Sequence, residues 1–308
     1  MANALEPAPQ PRSAIVRFAQ ARPVTCFFVL AYLWSWTCWL VVPRFFQEKR
    51  LSSISDTAAL VLILVGAWGP TVGALITRWL GHRDLRICRV WSGWSVLIWG
   101  LCAGLLGFFV VTLLAPSMAM VKTPVGGLHW WTLLHWSTYA VNYSTFLGGP
   151  LPEEPGWRGF ALPRLQARYG PIWATLILAL FWAGWHLPLF SVEGWTTARP
   201  WQFLLILVGV SSLLTAAANL TQFGVMVAIV LHAFFNTSIR LVNSLTSNLP
   251  HRGDDTLMYT IAVFICGTVL GIALLVWLQF KSPRTNASGA TCLSLRESAA
   301  FSLGDQDY

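Results

Sequence analysis

Charge is what this chain has least of: among 308 residues, 10% are Asp, Glu, Lys or Arg while 56% are hydrophobic. Ordinary soluble domains carry about 25% charged residues, so a water-exposed globule of this composition is excluded. Carboxylates are scarcer than cations, 12 Asp and Glu against 20 Lys and Arg, and any carboxylate within an apolar stretch therefore calls for a reason. The six cysteines (Cys26, Cys38, Cys88, Cys102, Cys266 and Cys292) form no CxxC or Cys/His spacing, which argues against a disulfide framework, a Cys/His metal cluster and a thiol nucleophile. Within apolar segments a free thiol packs as a small hydrophobe. Met1 to Arg22 is rich in Pro and Ala, with three arginines and no apolar run, so a cleavable leader is not expected. The ending Asp305-Gln306-Asp307-Tyr308 is no prenylation box. The sequence has no internal repeat, which counts against an inverted-repeat transporter. It also has no basic stripe: the cations behind the net charge of +8 are scattered between apolar segments, so nucleic acid is not an expected partner.

What the chain does have is long apolar runs. Eight reach spanning length, at about Thr25–Val42, Ala58–Leu80, Gly93–Pro116, Trp130–Leu151, Pro171–Val192, Trp201–Leu220, Phe223–Leu245 and Leu257–Phe280, since a helix needs about 20 apolar residues to cross a bilayer. The expectation is an all-α polytopic integral membrane protein of about eight transmembrane helices. The 18 tryptophans suit membrane interfaces and inter-helix packing. With the N-terminus in the cytoplasm, 13 of the 20 cations fall on that side and seven on the other, which predicts cytoplasmic termini by the positive-inside rule. Residues 1–23 and the Ser- and Ala-rich 281–308 read as disordered ends flanking a membrane domain over 24–280.

Three polar islands interrupt the apolar runs. The first is Glu153-Glu154-Pro155-Gly156-Trp157-Arg158, preceded by Gly148-Gly149-Pro150-Leu151-Pro152, which breaks a helix. Broken backbone at membrane depth lines a cavity or is buried in protein, and an intramembrane carboxylate pair suggests a functional site. Glu154 and Arg158 are four apart and meet on one helical face. That pairing leaves Glu153 free as a general base, although a juxtamembrane salt bridge has the same spacing. The second island is His186, in an apolar, Trp-rich segment and followed by Leu187-Pro188. The third is His232 with Asn236, one turn apart on one face, suited to donate to an oxyanion or to act as polar glue between helices. Glu153, His186 and His232 could alternatively ligate a divalent metal such as zinc. The sequon Asn236-Thr237-Ser238 would not be modified inside a membrane.

In this order the islands resemble the CPBP family of intramembrane proteases, which includes CAAX prenyl protease 2 type enzymes and bacteriocin-immunity proteins. Glu153, Glu154 and Arg158 match its motif EExxxR, His186 its FxxxH, and His232 with Asn236 its HxxxN. Trp182 stands where the family usually has Phe, an aromatic exchange expected to preserve packing and activity. The resemblance covers roughly Trp130 to Leu245, the protease core, and implies eight spans around an intramembrane catalytic cavity. It implies an endopeptidase in which Glu153, helped by His186, activates water while His232 and Asn236 stabilise the oxyanion and Glu154 and Arg158 set the geometry of Glu153. No cofactor is firmly implied, and a metal-dependent variant competes. Membrane lipid and a peptide or membrane-protein substrate, prenylated or not, are the implied partners, and a bacterial inner membrane the implied location. A bacteriocin-immunity protein, or an ion- or proton-coupled transporter using the same cluster, is the alternative.

One spacing conflicts with this scheme. If the fourth span ends near Leu151, Glu153 sits at the membrane rim and His186 lies about 22 Å deeper at helical rise. The groups meet only if the fourth helix continues through about Leu162.

Overall fold

The computed structural model describes residues 13–47, 54–81, 149–192, 195–196, 198–246 and 255–281, and among them every regular element is helical. The third apolar segment, most of the fourth and the tail from Ser282 lie outside the described residues. Four stretches are long and apolar enough to cross a membrane: Pro23–Val41, Pro150–Ser191, Pro200–Leu220 and Tyr259–Phe280. Ala59–Ala67 with Gly69–Leu80, bent by 46°, makes a fifth if the pair is one span. The all-helical membrane class stands. The expected eight spans are not all within the described part.

Helix α1 (Ala14–Ala21) occupies a segment expected to lack order. Ser13 caps it, its hydroxyl accepting from the Val16 amide at 3.4 Å, and buried Ala19 anchors it. The run Ala-Ile-Val-Arg-Phe-Ala is apolar enough to helix against the following span, a signal that the Pro- and Ala-rich flank concealed. Helix α2 (Pro23–Gln47) begins on proline, whose missing N–H costs nothing at the first helical position. Helices α3 (Ile54–Ala67) and α4 (Gly69–Leu80) pack on it. Their bend falls at Trp68-Gly69-Pro70, where Pro70 cannot continue an upstream hydrogen-bond ladder.

The conflict over Glu153 and His186 is resolved by the next elements. Helix α5 (Pro150–Gly156) runs through a π turn (Trp157–Ala161) into α6 (Leu162–Trp185). A helical arm therefore begins at Pro150, at the end of the expected fourth span, and runs past Leu162, while residues 130–148 of that span lie outside the described part. Within α6, Gly170 leaves helical geometry at φ 73°, ψ 169°, and Pro171 follows. A positive φ is inexpensive only for glycine, and the proline removes a donor, so the chain folds back here. Arg158 and Trp182 each lie twelve residues from Gly170, about 18 Å of helix, and they face each other with the guanidinium carbon 4.3 Å from the indole ring centroid. The apolar stretch Pro150–Ser191 is thus two antiparallel arms.

Helix α6 ends at His186, because Pro188 cannot extend it, and a 3-10 turn follows (Leu187–Ser191). Helices α7 (Pro200–Leu220), α8 (Val225–Thr246) and α9 (Asp255–Lys281) complete the described part. Helices α7 and α9 approach closely through Gly209, where an added Cβ would stand 2.4 Å from the Val263 carbonyl oxygen. Such small-residue seams drive packing where lipid removes the hydrophobic incentive. The core lies between α2, the π turn and α6, built on the buried rings of Phe27, Trp39, Trp157, Phe160, Trp182 and Trp185. Other tryptophans, Trp79, Trp173 and Trp277 among them, stay exposed.

Candidate active site

Glu153 ends the first turn of α5 and Glu154 follows it, in a helix that starts after Gly149, whose φ of 95° only glycine adopts without strain. The helix start favours negative charge. Both carboxylates are buried, at 4% and 0% exposure, as is Arg158 at 1%. That burial disposes of a solvated juxtamembrane salt bridge. Glu154 Oε1 accepts from Arg158 Nη1 at 3.1 Å and from His232 Nδ1 at 2.8 Å. Arg158 Nη2 also donates to the Ser211 hydroxyl of α7 at 3.2 Å. The i,i+4 pairing expected from spacing is therefore present. Its target differs from expectation, because Glu154 is tied to His232 rather than to Glu153.

Glu153 is held instead by Trp182, whose indole N–H donates to Oε2 at 2.8 Å. The Trp182 main-chain carbonyl lies 2.8 Å from His186 Nδ1, the ring-to-backbone contact that also closes α6. The His232 ring packs edge-on to Trp182, centroids 5.0 Å apart at 86°, and the His186 ring lies 6.1 Å from it. Glu153, Arg158, His186 and His232 thus gather around one indole. Asn236 joins from the same face of α8 as His232: a Cβ built on Gly149 would stand 3.3 Å from Asn236 Nδ2 and 3.5 Å from Glu153 Oε1. All six residues singled out from the sequence are in this one place.

Both imidazoles present Nδ1 to an acceptor, a carbonyl for His186 and a carboxylate for His232. Each Nδ1 therefore carries a proton and each Nε2 is left for chemistry. A neutral Nε2 accepts a hydrogen bond. It donates only once the ring is imidazolium, a form for which the Glu154 carboxylate is a counter-ion. His186 is enclosed by the rings of Trp39, Trp185, Trp195 and Phe203, with centroids 4.7–6.3 Å away. Among the described residues no group of three His, Cys, Asp or Glu side chains is arranged to hold a metal ion. The set Glu153, His186 and His232 therefore does not close into a metal site in this geometry.

Two contributors escaped sequence reading. Ser211 carries no motif and is found only by its contact with Arg158. Trp182 was read as packing, yet the fold-back at Gly170 turns it into a hydrogen-bond donor.

An all-helical integral membrane protein with a buried cluster of carboxylates, imidazoles and a carboxamide is the class these observations define. Residues 135–238 match the family model described as type II CAAX prenyl endopeptidase, Rce1-like. A CAAX prenyl protease 2 of Methanococcus maripaludis is 46% identical over 41 residues, a segment spanning 13% of this chain and 15% of that protein. Over these segments the chain is similar to CAAX prenyl proteases.

Proposed function

We propose that the protein is an intramembrane endopeptidase of the CAAX prenyl protease type. The observation that carries this reading is the meeting of Glu153, His186, His232 and Asn236 around the Trp182 indole, in a buried place reached from three separate helical arms. Glu153 takes a proton from water, with His186 Nε2 as a second acceptor, and the hydroxide oxygen bonds to the scissile carbonyl carbon. The carbonyl electron pair moves to oxygen, where the Asn236 amide and the His232 imidazolium donate to the developing charge. Collapse breaks the C–N bond, and the proton held by Glu153 passes to the leaving amine. Glu154 and Arg158 act at one remove, fixing the tautomer and orientation of His232.

The substrate class proposed is a membrane-associated protein or peptide, prenylated at a cysteine near its C-terminus. Its polypeptide enters the site while the lipid stays against the helices. A bacterial inner membrane with cytoplasmic termini fits the cation distribution. A metal held by Glu153, His186 and His232 is the competing proposal for activating the water, and it requires those side chains to draw together beyond their present arrangement. The test of the main reading is cleavage of a fluorogenic farnesylated peptide ending in Cys-aliphatic-aliphatic-X by the purified protein in detergent micelles. Release of the terminal tripeptide by the wild type and its loss in Glu153→Gln support the reading. Equal behaviour of the two overturns it.

A further inference from the structure

We infer that Trp182 is a positioning residue that selects which oxygen of Glu153 serves as the base. The inference rests on the reading of Glu153 as that base.

The indole N–H donates to Glu153 Oε2 at 2.8 Å, and among the described residues no other side chain donates to this carboxylate. The bond is shielded from competition, since Trp182 is 1% exposed and Glu153 4%. With Oε2 occupied, Oε1 is the oxygen left on the Gly149 side, where the Asn236 amide also arrives. That is the side on which a carbonyl polarised by Asn236 and a water held by Glu153 can meet. A carboxylate without this bond would rotate about its terminal torsion, which is broad and two-fold, and would divide its time between productive and unproductive orientations.

Trp182 can act as a fixed donor because it is held on every side. The Arg158 guanidinium covers one face at 4.3 Å from the centroid, the His232 ring meets it edge to face, and its own carbonyl takes the His186 Nδ1–H. Arg158 in turn is bonded to Glu154 and Ser211. The FxxxH motif that the His186 segment resembles usually has Phe at this position. Phe would supply a face for Arg158 and an edge for His232 but no donor for Glu153. The exchange therefore gives this chain a contact that an aromatic ring alone does not provide.

The experiment compares wild type, Trp182→Phe and Glu153→Gln on the farnesylated fluorogenic peptide, and records the tryptophan indole signals of 15N-labelled protein in micelles. A hydrogen bond to a charged group contributes about 1.5–3 kcal/mol, so Trp182→Phe is expected to lower kcat about 10- to 100-fold, with KM within about twofold. The unchanged remaining indole signals establish that the variant is folded. The Trp182 signal, assigned by its loss in Trp182→Phe, is expected to shift in Glu153→Gln, because a neutral acceptor makes a weaker bond than a carboxylate. A merely structural tryptophan would not couple its N–H to residue 153. Wild-type kcat in Trp182→Phe, or an indole signal unmoved by Glu153→Gln, overturns the inference. Failure of the protease reading looks different: wild type and Glu153→Gln then cleave alike or not at all, and the positioning role falls with it.

Discussion

Glu154 and His232 lie 78 positions apart in the chain and are joined by a 2.8 Å contact between Oε1 and Nδ1, at an oxygen that Arg158 also reaches. One carboxylate oxygen thus ties α5 to the middle of α8. Removing one partner of a buried pair costs about 3–5 kcal/mol, because a charge is left without its counterpart. Arg158→Ala is therefore expected to lower thermal stability markedly, also uncovering the face of Trp182, whereas Glu154→Gln keeps an acceptor and costs less. Glu154→Gln is expected to lower turnover even so, since a neutral amide no longer balances a protonated His232. Melting curves in detergent alongside kcat check both outcomes, and a Glu154→Gln enzyme of wild-type rate would remove Glu154 from the mechanism.

Glu153 allows a cleaner separation of chemistry from folding. Gln has the same shape, and its amide oxygen still accepts from the Trp182 indole, so Glu153→Gln is expected to keep the fold while losing the proton acceptor. Turnover is expected to fall by at least about 10²-fold, the lower end of what a positioned general base contributes. Unchanged elution on size exclusion with no peptide release is the predicted pair of observations. Normal elution with full release would show that Glu153 is not the base.

Gly149 tests whether backbone geometry shapes the site. Its φ of 95° is strained for any other residue, and a Cβ there would crowd the Asn236 amide at 3.3 Å and Glu153 Oε1 at 3.5 Å. Holding a side chain in such a conformation costs about 1–3 kcal/mol, so Gly149→Ala is expected to lower both stability and kcat. Gly156→Ala makes the control, because a Cβ there would come within 2.4 Å of the Pro70 backbone, against α4. Overpacking costs about 1–3 kcal/mol, and for Gly156→Ala the expected loss is in stability, with the folded fraction retaining its KM. A Gly149→Ala protein with wild-type kcat would show that the approach of Asn236 to Glu153 is not needed.

Much of the site was legible because ionised and polar groups are so rare here. In a chain 10% charged, two adjacent glutamates, an intramembrane His and an i,i+4 His/Asn pair stand out without three-dimensional information. Helical periodicity alone gave the Glu154 to Arg158 contact. The break at Gly170-Pro171 coincides with the start of the fifth apolar run, but hydropathy ended the fourth run near Leu151 and so concealed the helical arm from Pro150 to Gly170 that this break folds back. The Glu153 to His186 conflict came from that boundary. Long-range partners were also hidden: the sequence does not reveal that Glu154 reaches His232, or that Ser211 and the indole N–H of Trp182 complete the cluster. Those contacts are set by how the arms pack.

Asn236 separates the two ways of activating water. Its carboxamide is a good donor to an oxyanion and an uncommon zinc ligand, and it stands beside Glu153 across Gly149. An oxyanion donor acts mainly in the transition state, so Asn236→Ala is expected to lower kcat by about 10²–10³ with little change in KM. If water is activated by Glu153 alone, wild-type protein stripped with a strong chelator and shown to be metal-free is expected to cleave the farnesylated peptide at its original rate. If a metal is responsible, stoichiometric metal co-purifies, His186→Ala and His232→Ala release it, and stripped protein recovers on adding the ion. The Nδ1 contacts of both histidines leave each Nε2 available on either scheme, so the contacts of the imidazoles do not by themselves choose between them. Complete loss of activity on stripping, reversed by zinc, would overturn Glu153 as a metal-independent base while leaving these residues in the site. Full activity of the metal-free protein would assign the proton transfer to Glu153.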